Sequence, residues 1–414
     1  MESEKLKNTN SEFYNIRIEN EKIIKKIDSK YVCFNKLFIL YIIIIGLINL
    51  GVIYYIIKKN EKKLFTYVDK FEKKIKYLGN QIKYIENELE RQNKNNSIPK
   101  LTLELEEIDF EVFNEDILNK IKDNQIEFCL KEKKYFNLEY EKQLTLVDIN
   151  YSNKIFQMYI YKSKDIVSNT IFIKKQWEMK QTNNLISALD YYSSHKNISK
   201  DHIYVLDIGS NIGWYTFYLG KYGYRILSFE PSDFNMYIQR KNYCLNNELN
   251  ITLIKKGLYD EEKRCDFYIS KGNIGDGWVF CDENVNVPKH LNKSGEITLT
   301  RLRNYVSFLS INNLALIKID VEGSEGKALI SGKELIEKYK VPFIFLELTP
   351  EPLRLHGTDP IEFLLLFERN GYKFSRTSFF GPNYITVDQI IELNRNILEL
   401  YIVHSDIFSL NDNK

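Results

Sequence analysis

Cysteine, proline and glycine are all scarce in this chain of 414 residues, at five, eight and 18. The cysteines, Cys33, Cys129, Cys244, Cys265 and Cys281, show no C-x-x-C spacing, which argues against a zinc site and against a disulfide framework. Cys33 borders an apolar run, where palmitoylation is the alternative to a silent thiol. The other four would pair only in an oxidising lumen, which their spacing does not decide. A net charge of +2, with no basic face interleaved with aromatics, excludes an electrostatic case for a nucleic-acid partner. The shortage of Gly and Pro beside abundant Ile, Lys, Asn, Tyr and Phe reads as nucleotide bias, not chemistry. Also missing is the G-x-G-x-x-G fingerprint of a nicotinamide site.

What is present begins with an anchor. Residues 1–36 form a charged tail, and residues 37–57 are an uncharged run bracketed by Lys36 and Lys58-Lys59. About 20 apolar residues at ~1.5 Å each span the ~30 Å hydrocarbon layer, which predicts a single transmembrane helix. A cleaved signal peptide would have a shorter apolar core nearer the N-terminus. Residues 1–97 carry 19 Lys/Arg against 12 Asp/Glu, and lysines flank both sides of the run, so the orientation stays open. Residues 58–97 read as a coiled-coil stalk and linker. Leu64, Val68, Phe71, Ile75, Leu78, Ile82, Ile85 and Leu89 make an a/d seam suited to a homodimer through 64–89. Five N-x-S/T sequons, at Asn95, Asn150, Asn197, Asn250 and Asn292, are about what so Asn-rich a chain yields by chance.

The expected globular part comprises an accessory region (98–200), a core (201–385) and a C-terminal extension (386–414). In the accessory region Glu127–Leu130, Leu144–Val147 and Phe156–Tyr161 read as strands and Asn183–Ser193 as a helix. The core alternates: strands at Val205–Ile208, Leu227–Glu230, Ile251–Lys255, Ala315–Asp320 and Phe343–Leu348, with helices from Trp214, across Asn235–Asn246 and over Gly326–Tyr339. This pattern predicts an α/β fold with a doubly wound, mainly parallel sheet.

The core's chemistry starts where strand Tyr204–Ile208 breaks into the turn Gly209-Ser210-Asn211-Ile212-Gly213. Glycine there lets backbone N–H groups approach a ligand. A second strand ends at Glu230, the spacing of an acid that grips ribose hydroxyls. Asp207, two residues before the first glycine, would repel a pyrophosphate but suit a cationic ammonium or sulfonium. The expected cofactor is therefore S-adenosylmethionine, with Asp207 and Asn211 at its methionyl end and Gly209 and Gly213 providing clearance. Asp260 is a candidate for the adenine amino group, with a surface acid as the alternative. Asp320, Glu322 and Glu325 follow the later strand. Asp320 is the first candidate base for a hydroxyl acceptor, Glu322 and Glu325 the next, with helix capping as the alternative for Glu325. No second acid at a diagnostic spacing accompanies Asp320, so no metal site is expected. His356 lies on a loop that either reaches the acceptor or is solvated, and Trp177 and Trp214 read as packing residues.

These motifs resemble the FkbM-type methyltransferases: Val205-Leu206-Asp207-Ile208-Gly209-Ser210-Asn211-Ile212-Gly213, Phe229-Glu230-Pro231-Ser232, and Ile317-Lys318-Ile319-Asp320-Val321-Glu322-Gly323-Ser324-Glu325-Gly326. Asn242, Leu245 and Asn246 match the helix after the second acid. Asp165-Ile166-Val167-Ser168 with Trp177-Glu178 matches the upstream segment, which adds Glu178 to the cofactor candidates. Gly257 stands where alanine is usual, and Thr300-Arg301-Leu302-Arg303 where an acidic Leu-Asp pair is common. The resemblance covers roughly 155–375. It implies a Rossmann-like class I fold and methyl transfer from S-adenosylmethionine to an oxygen of a sugar, lipid-linked glycan or small metabolite. The anchor implies a single-pass membrane protein of the endomembrane system. Two other classes stand against this reading: a tethered scaffold with a decayed core, and an NAD(P)-dependent oxidoreductase. The acceptor pocket is expected to be shaped by 265–300 and 350–385.

Overall fold

The computed structural model describes residues 112–408, apart from 152–153, 163–164, 282–284, 286 and 394–396. The chain divides into two units, Met1–Glu107 and Ile108–Lys414, and every described residue lies in the second. The expected anchor at 37–57 and stalk at 58–97 fall outside the described residues.

Thirteen strands are described: β1 Leu144–Tyr151, β2 Lys154–Tyr161, β3 Tyr204–Ile208, β4 Arg225–Phe229, β5 Ile251–Ile254, β6 Gly257–Tyr259, β7 Lys263–Ser270, β8 Asn273–Phe280, β9 Leu291–Arg301, β10 Leu314–Ile319, β11 Phe343–Leu348, β12 Tyr372–Ser375 and β13 Leu398–His404. The helices of six residues or more are α1 Glu115–Leu130, α2 Ile166–Lys174, α3 Met179–Lys196, α4 Trp214–Lys221, α5 Asp233–Leu245, α6 Arg303–Leu309, α7 Glu325–Ile330, α8 Pro350–Leu355, α9 Pro360–Arg369 and α10 Val387–Glu392.

Seven strands form the central sheet in the order β12-β13-β11-β10-β3-β4-β5. Pairing is parallel from β11 through β5 and antiparallel on both sides of β13. The sheet is thus mixed, and the residues after 386 supply an interior strand, not a peripheral tail. Side chains of β3 alternate between two apolar layers, Val205 on one face and Tyr204, Leu206 and Ile208 on the other. Burial on both faces is why these strands read as continuous apolar runs. In β10 the register shifts between Leu314 and Leu316, and Ala315 and Leu316 consequently join the same layer. The strand order reverses between β3 and β10, the place where doubly wound sheets bind ligands.

The sequence misled at several places. Glu127–Leu130 is the last stretch of α1 and not a strand. Four apolar-leaning residues cannot separate the two, and Leu118, Gln125 and Phe128 are the buried positions of that helix. The helix foreseen over 326–339 is two short ones, α7 and Glu334–Glu337. Between them a Cβ at Gly332 would fall 2.6 Å from Leu302, so the glycine marks a close approach. Residues 257–301 form a second sheet ordered β6-β9-β7-β8. Its alternation is broken by register shifts near Phe267 and Ile269 and by Gly277, whose missing Cβ makes room for the Phe267 ring.

Two disulfides form despite the absence of a regular cysteine spacing. Cys129 of α1 is bonded to Cys244 of α5, and Cys265 of β7 to Cys281 just past β8. C-x-x-C spacing is a metal signature and says nothing about cysteines joined by packing. Residues before 201 are built into the same layers. Gln125 of α1 lies along the free edge of β5, donating to the Ile251 carbonyl (3.1 Å) and accepting from Leu253 N–H (2.7 Å). The β1–β2 hairpin is held by Asn242, which accepts from Tyr159 N–H (2.5 Å) and donates to the Tyr159 carbonyl (3.1 Å), and by Asn246 on the Gln157 carbonyl (2.9 Å).

Candidate functional site

A cavity of about 440 Å³ opens at the carboxyl ends of β3, β4, β10 and β11. The Gly209 turn makes its floor. Gly209 has φ +73°, and a Cβ there would lie 1.8 Å from the Asp320 carbonyl oxygen. No other residue fits, because both the left-handed backbone and the abutting strand end require a missing side chain. Asn211 also has positive φ (52°), which turns its N–H onto Glu230 Oε2 at 2.8 Å. Ser232 N–H holds the other Glu230 oxygen at 2.8 Å. Two backbone donors therefore fix the Glu230 carboxylate in the cavity wall. Burial outweighs these bonds and pushes its pKa up to about 7.

Gly213 (φ +90°) serves a different purpose. It starts α4, and a Cβ would strike the Phe217 ring at 2.8 Å. It does not line the cavity. Asp207 also lies behind the turn. Fully buried, it accepts from the Thr216 hydroxyl (2.6 Å) and faces Lys318 Nζ at 3.8 Å. The expected contact between Asp207 and a cationic ligand is therefore replaced by contacts to the protein's own cation. Asp260 likewise pairs with Lys327 at 2.6 Å and is not among the lining residues.

Lys318 is the group that sequence reading passed over, although a lysine inside the run Leu314–Ile319 is the signal for it. The residue is 5% exposed, and its ammonium donates to the Gly209 carbonyl (3.0 Å), with Asp320 Oδ2 at 3.5 Å. Burial pulls its pKa down, but Asp320, Asp207, Glu178 and Glu347 together hold it above the ordinary lysine value. Lys318 thus binds the glycine turn to two strand ends.

Glu178, at the start of α3 with φ +41°, does line the cavity and accepts the Tyr215 hydroxyl at 2.6 Å. Burial is the main reason its pKa is raised. Asp320, Glu322 and Glu347 line the same wall. Glu325 does not. Its Oε1 accepts from Val321 and Gly323 N–H, both at 3.1 Å, so it closes the turn at the head of α7. Burial raises its pKa to about 7. His356 is neither solvated nor in the cavity. It stacks on Phe280 with ring centroids 5.6 Å apart, and burial lowers its pKa to about 4.

The roof comes from the second sheet: Phe267, Asn273, Gly275, Asp276, Gly277 and Val279. Gly275 passes so close that a Cβ would lie 3.1 Å from Asn211 Oδ1. Residues from 265–300 therefore contribute to the lining of this cavity, whereas none from 350–385 does. Trp177 and Trp214 are both lining residues. Trp214 also donates to Thr182 at 3.2 Å and stacks on Tyr218, as a packing residue would.

Residues 207–374 match the methyltransferase FkbM domain, a family that uses S-adenosylmethionine. The chain therefore carries an FkbM methyltransferase domain over those residues. No curated protein is matched by the sequence. Among solved structures, the bifunctional kinase-methyltransferase WbdD is 12% identical, over 55% of this chain and 40% of that one, with TM-score 0.31. Of the WbdD chains, then, less than half is spanned. TYW2 of M. jannaschii, in complex with AdoMet, is 12% identical over 63% and 84% of the two chains, with TM-score 0.26. The magnesium protoporphyrin IX methyltransferase ChlM of Synechocystis PCC 6803, with bound SAM, is 10% identical over 58% and 84%, with TM-score 0.28. Likenesses this distant carry no functional argument.

Proposed function

We propose, from the FkbM match over 207–374, that this chain is an S-adenosylmethionine-dependent O-methyltransferase acting on a glycan, a lipid-linked sugar or a small metabolite. The observation that carries the reading is the juxtaposition of the Gly209 cradle and Glu230 in one cavity at the sheet's switch point. The cavity suits the cofactor. Gly209 puts bare turn backbone in the cavity lining, Asn211 Oδ1 has no hydrogen-bond partner among the described residues, and each Glu230 oxygen retains a lone pair for a ribose hydroxyl. Glu230 would take the ribose hydroxyls, Gly209 and Asn211 would lie beneath the cofactor with Asn211 toward its methionyl end, and Glu178 would face the cofactor from α3. Asp207 and Gly213 would act through the turn they support. When bound, the cofactor supplies an activated methyl group on a sulfonium. The protein's remaining task is to align the acceptor and take its proton.

The reading places the domain on a membrane through 37–57, with a dimeric stalk over 64–89. The disulfides Cys129–Cys244 and Cys265–Cys281 support a domain on the lumenal side, since such bonds persist in oxidising compartments. A lumenal site in turn favours glycan acceptors. Protease protection of the 108–414 unit in sealed vesicles tests the orientation. For the cofactor, saturation at 100 times the dissociation constant adds ~2.7 kcal/mol of stability. S-adenosylmethionine should raise the thermal midpoint accordingly and NAD(P)H should not, and Glu230→Ala should abolish the shift. A shift with NAD(P)H alone, or with neither ligand, would remove the proposal.

A further inference from the structure

The identity of the acceptor's base rests on the methyl-transfer reading above, and the cavity walls carry it one step further. A hydroxyl must lose its proton as it attacks, so the group best placed to receive it is a carboxylate facing the cavity that no protein donor already holds. Most lining carboxylates are already engaged. Glu230 accepts two backbone N–H groups, and Glu178 accepts the Tyr215 hydroxyl. Asp276 accepts Trp278 Nε1 at 3.0 Å and the Ser270 hydroxyl at 2.5 Å. Asp320 is ion-paired with Lys318 at 3.5 Å. Glu322 and Glu347 line the cavity with neither a hydrogen bond nor an ion pair to any described residue.

Strand register fixes where Glu347 sits. Ile319 pairs with Leu346, so Asp320 and Glu347 end neighbouring parallel strands at the same edge. On its other side Glu347 pairs with Glu399 of β13. We infer that Glu347, not Asp320, takes the proton of the acceptor hydroxyl, with Glu322 as its partner carboxylate. In the transfer the acceptor oxygen bonds to the methyl carbon. The carbon–sulfur bond breaks with its electron pair left on sulfur. The hydroxyl proton passes to the Glu347 carboxylate and then to solvent.

The charges around Glu347 agree with that task. Burial, then Asp320 and Glu178, push its pKa up against the pull of Lys318, and Glu399 adds to the rise, bringing it to about 8. Glu322 is raised by burial, then by Asp320, Asp276, Glu347 and Glu325. A base of this strength gains its charge only as the pH climbs through about 8, and it accepts a proton readily once charged.

The test uses the full-length chain in detergent, tritiated-methyl S-adenosylmethionine, and glycans extracted from membranes of cells lacking the chain. Turnover of the unaltered chain should rise with pH through about 8. Glu347→Gln should lower turnover roughly 100- to 10,000-fold and flatten that rise, with S-adenosylmethionine binding by calorimetry unchanged. Glu347→Asp should restore part of the turnover together with the pH dependence, and Glu322→Gln should move the midpoint. Independently of turnover, infrared spectra of the unaltered chain should show a protonated-carboxyl band titrating near pH 8 that Glu347→Gln removes. Turnover in Glu347→Gln with its pH rise intact, or loss of cofactor binding in that variant, would overturn the assignment. Failure of the unaltered chain to bind S-adenosylmethionine would instead overturn the reading beneath it.

Discussion

Removing the two disulfides one at a time separates stability from placement in the cell. Cys129 and Cys244 are 115 residues apart in sequence, Cys265 and Cys281 only 16. In the chain-entropy model the cross-link restricts the unfolded chain according to the loop it closes, which gives ~4.8 kcal/mol for the long loop and ~3.1 for the short one. Cys129→Ser/Cys244→Ser should therefore cost about 1.7 kcal/mol more than Cys265→Ser/Cys281→Ser. The measurement is urea unfolding of the purified chain without reductant, comparing midpoints and slopes. The shorter pair should matter differently. It joins the strands that roof the cavity, so its loss should weaken acceptor use more than cofactor binding. A thiol count decides the premise. Protein alkylated as it leaves the membrane should show one reactive cysteine, Cys33, before reduction and all five afterwards. Five reactive thiols at the outset would refute both the energetics and the lumenal placement.

Three other outcomes follow from the site. Gly209→Ala, which combines a left-handed backbone with a Cβ driven into the Asp320 carbonyl, should lose cofactor binding and at least the ~1–2 kcal/mol of the backbone penalty, read by thermal shift with and without S-adenosylmethionine. Lys318→Met leaves Asp207 and Asp320 without their shared cation. It should cost roughly 3–5 kcal/mol in urea unfolding, and a cost under about 1 would refute the reading of Lys318 as the cation that holds the two strand ends together. Stability should fall as pH rises from 5 to 8, because Glu230 and Glu325 have folded pKa values near 7, above the ordinary 4.5. What they contribute is present below the unfolded value and lost through the folded one. For Glu325 the gap is worth ~3 kcal/mol, and Glu325→Gln should flatten the pH profile of the melting temperature.

The central sheet was legible because its strands are buried on both faces and therefore apolar throughout. Gly209, Asn211 and Glu230 were legible as residues of one cavity because a glycine turn after a buried strand and an acid ending the next strand meet at the same edge of the sheet. Asp207 was placed correctly on its strand but given the wrong neighbour, since spacing shows where a carboxylate lies and not which cation reaches it. That cation, Lys318, was hidden in a motif read for its acids. The roof over 257–301 was illegible because shifted register and glycines that make room for Phe267 and Asn211 erase alternation. Cys129 and Cys244 could not be paired without knowing that α1 packs on α5. Glu347 lies within the expected strand Phe343–Leu348, but the absence of a side-chain partner among the described residues is a property of the folded cavity.

The amide of Gln125 imitates one peptide unit of a strand that is not there, donating once and accepting once along β5. The Ile251 carbonyl and the Leu253 N–H are thereby closed to a passing chain. Trimming the protein to its recognisable motifs, from about residue 201 onward, would strip that seal and leave a sticky border. The smallest soluble piece worth preparing therefore starts ahead of α1, well upstream of the first catalytic signature.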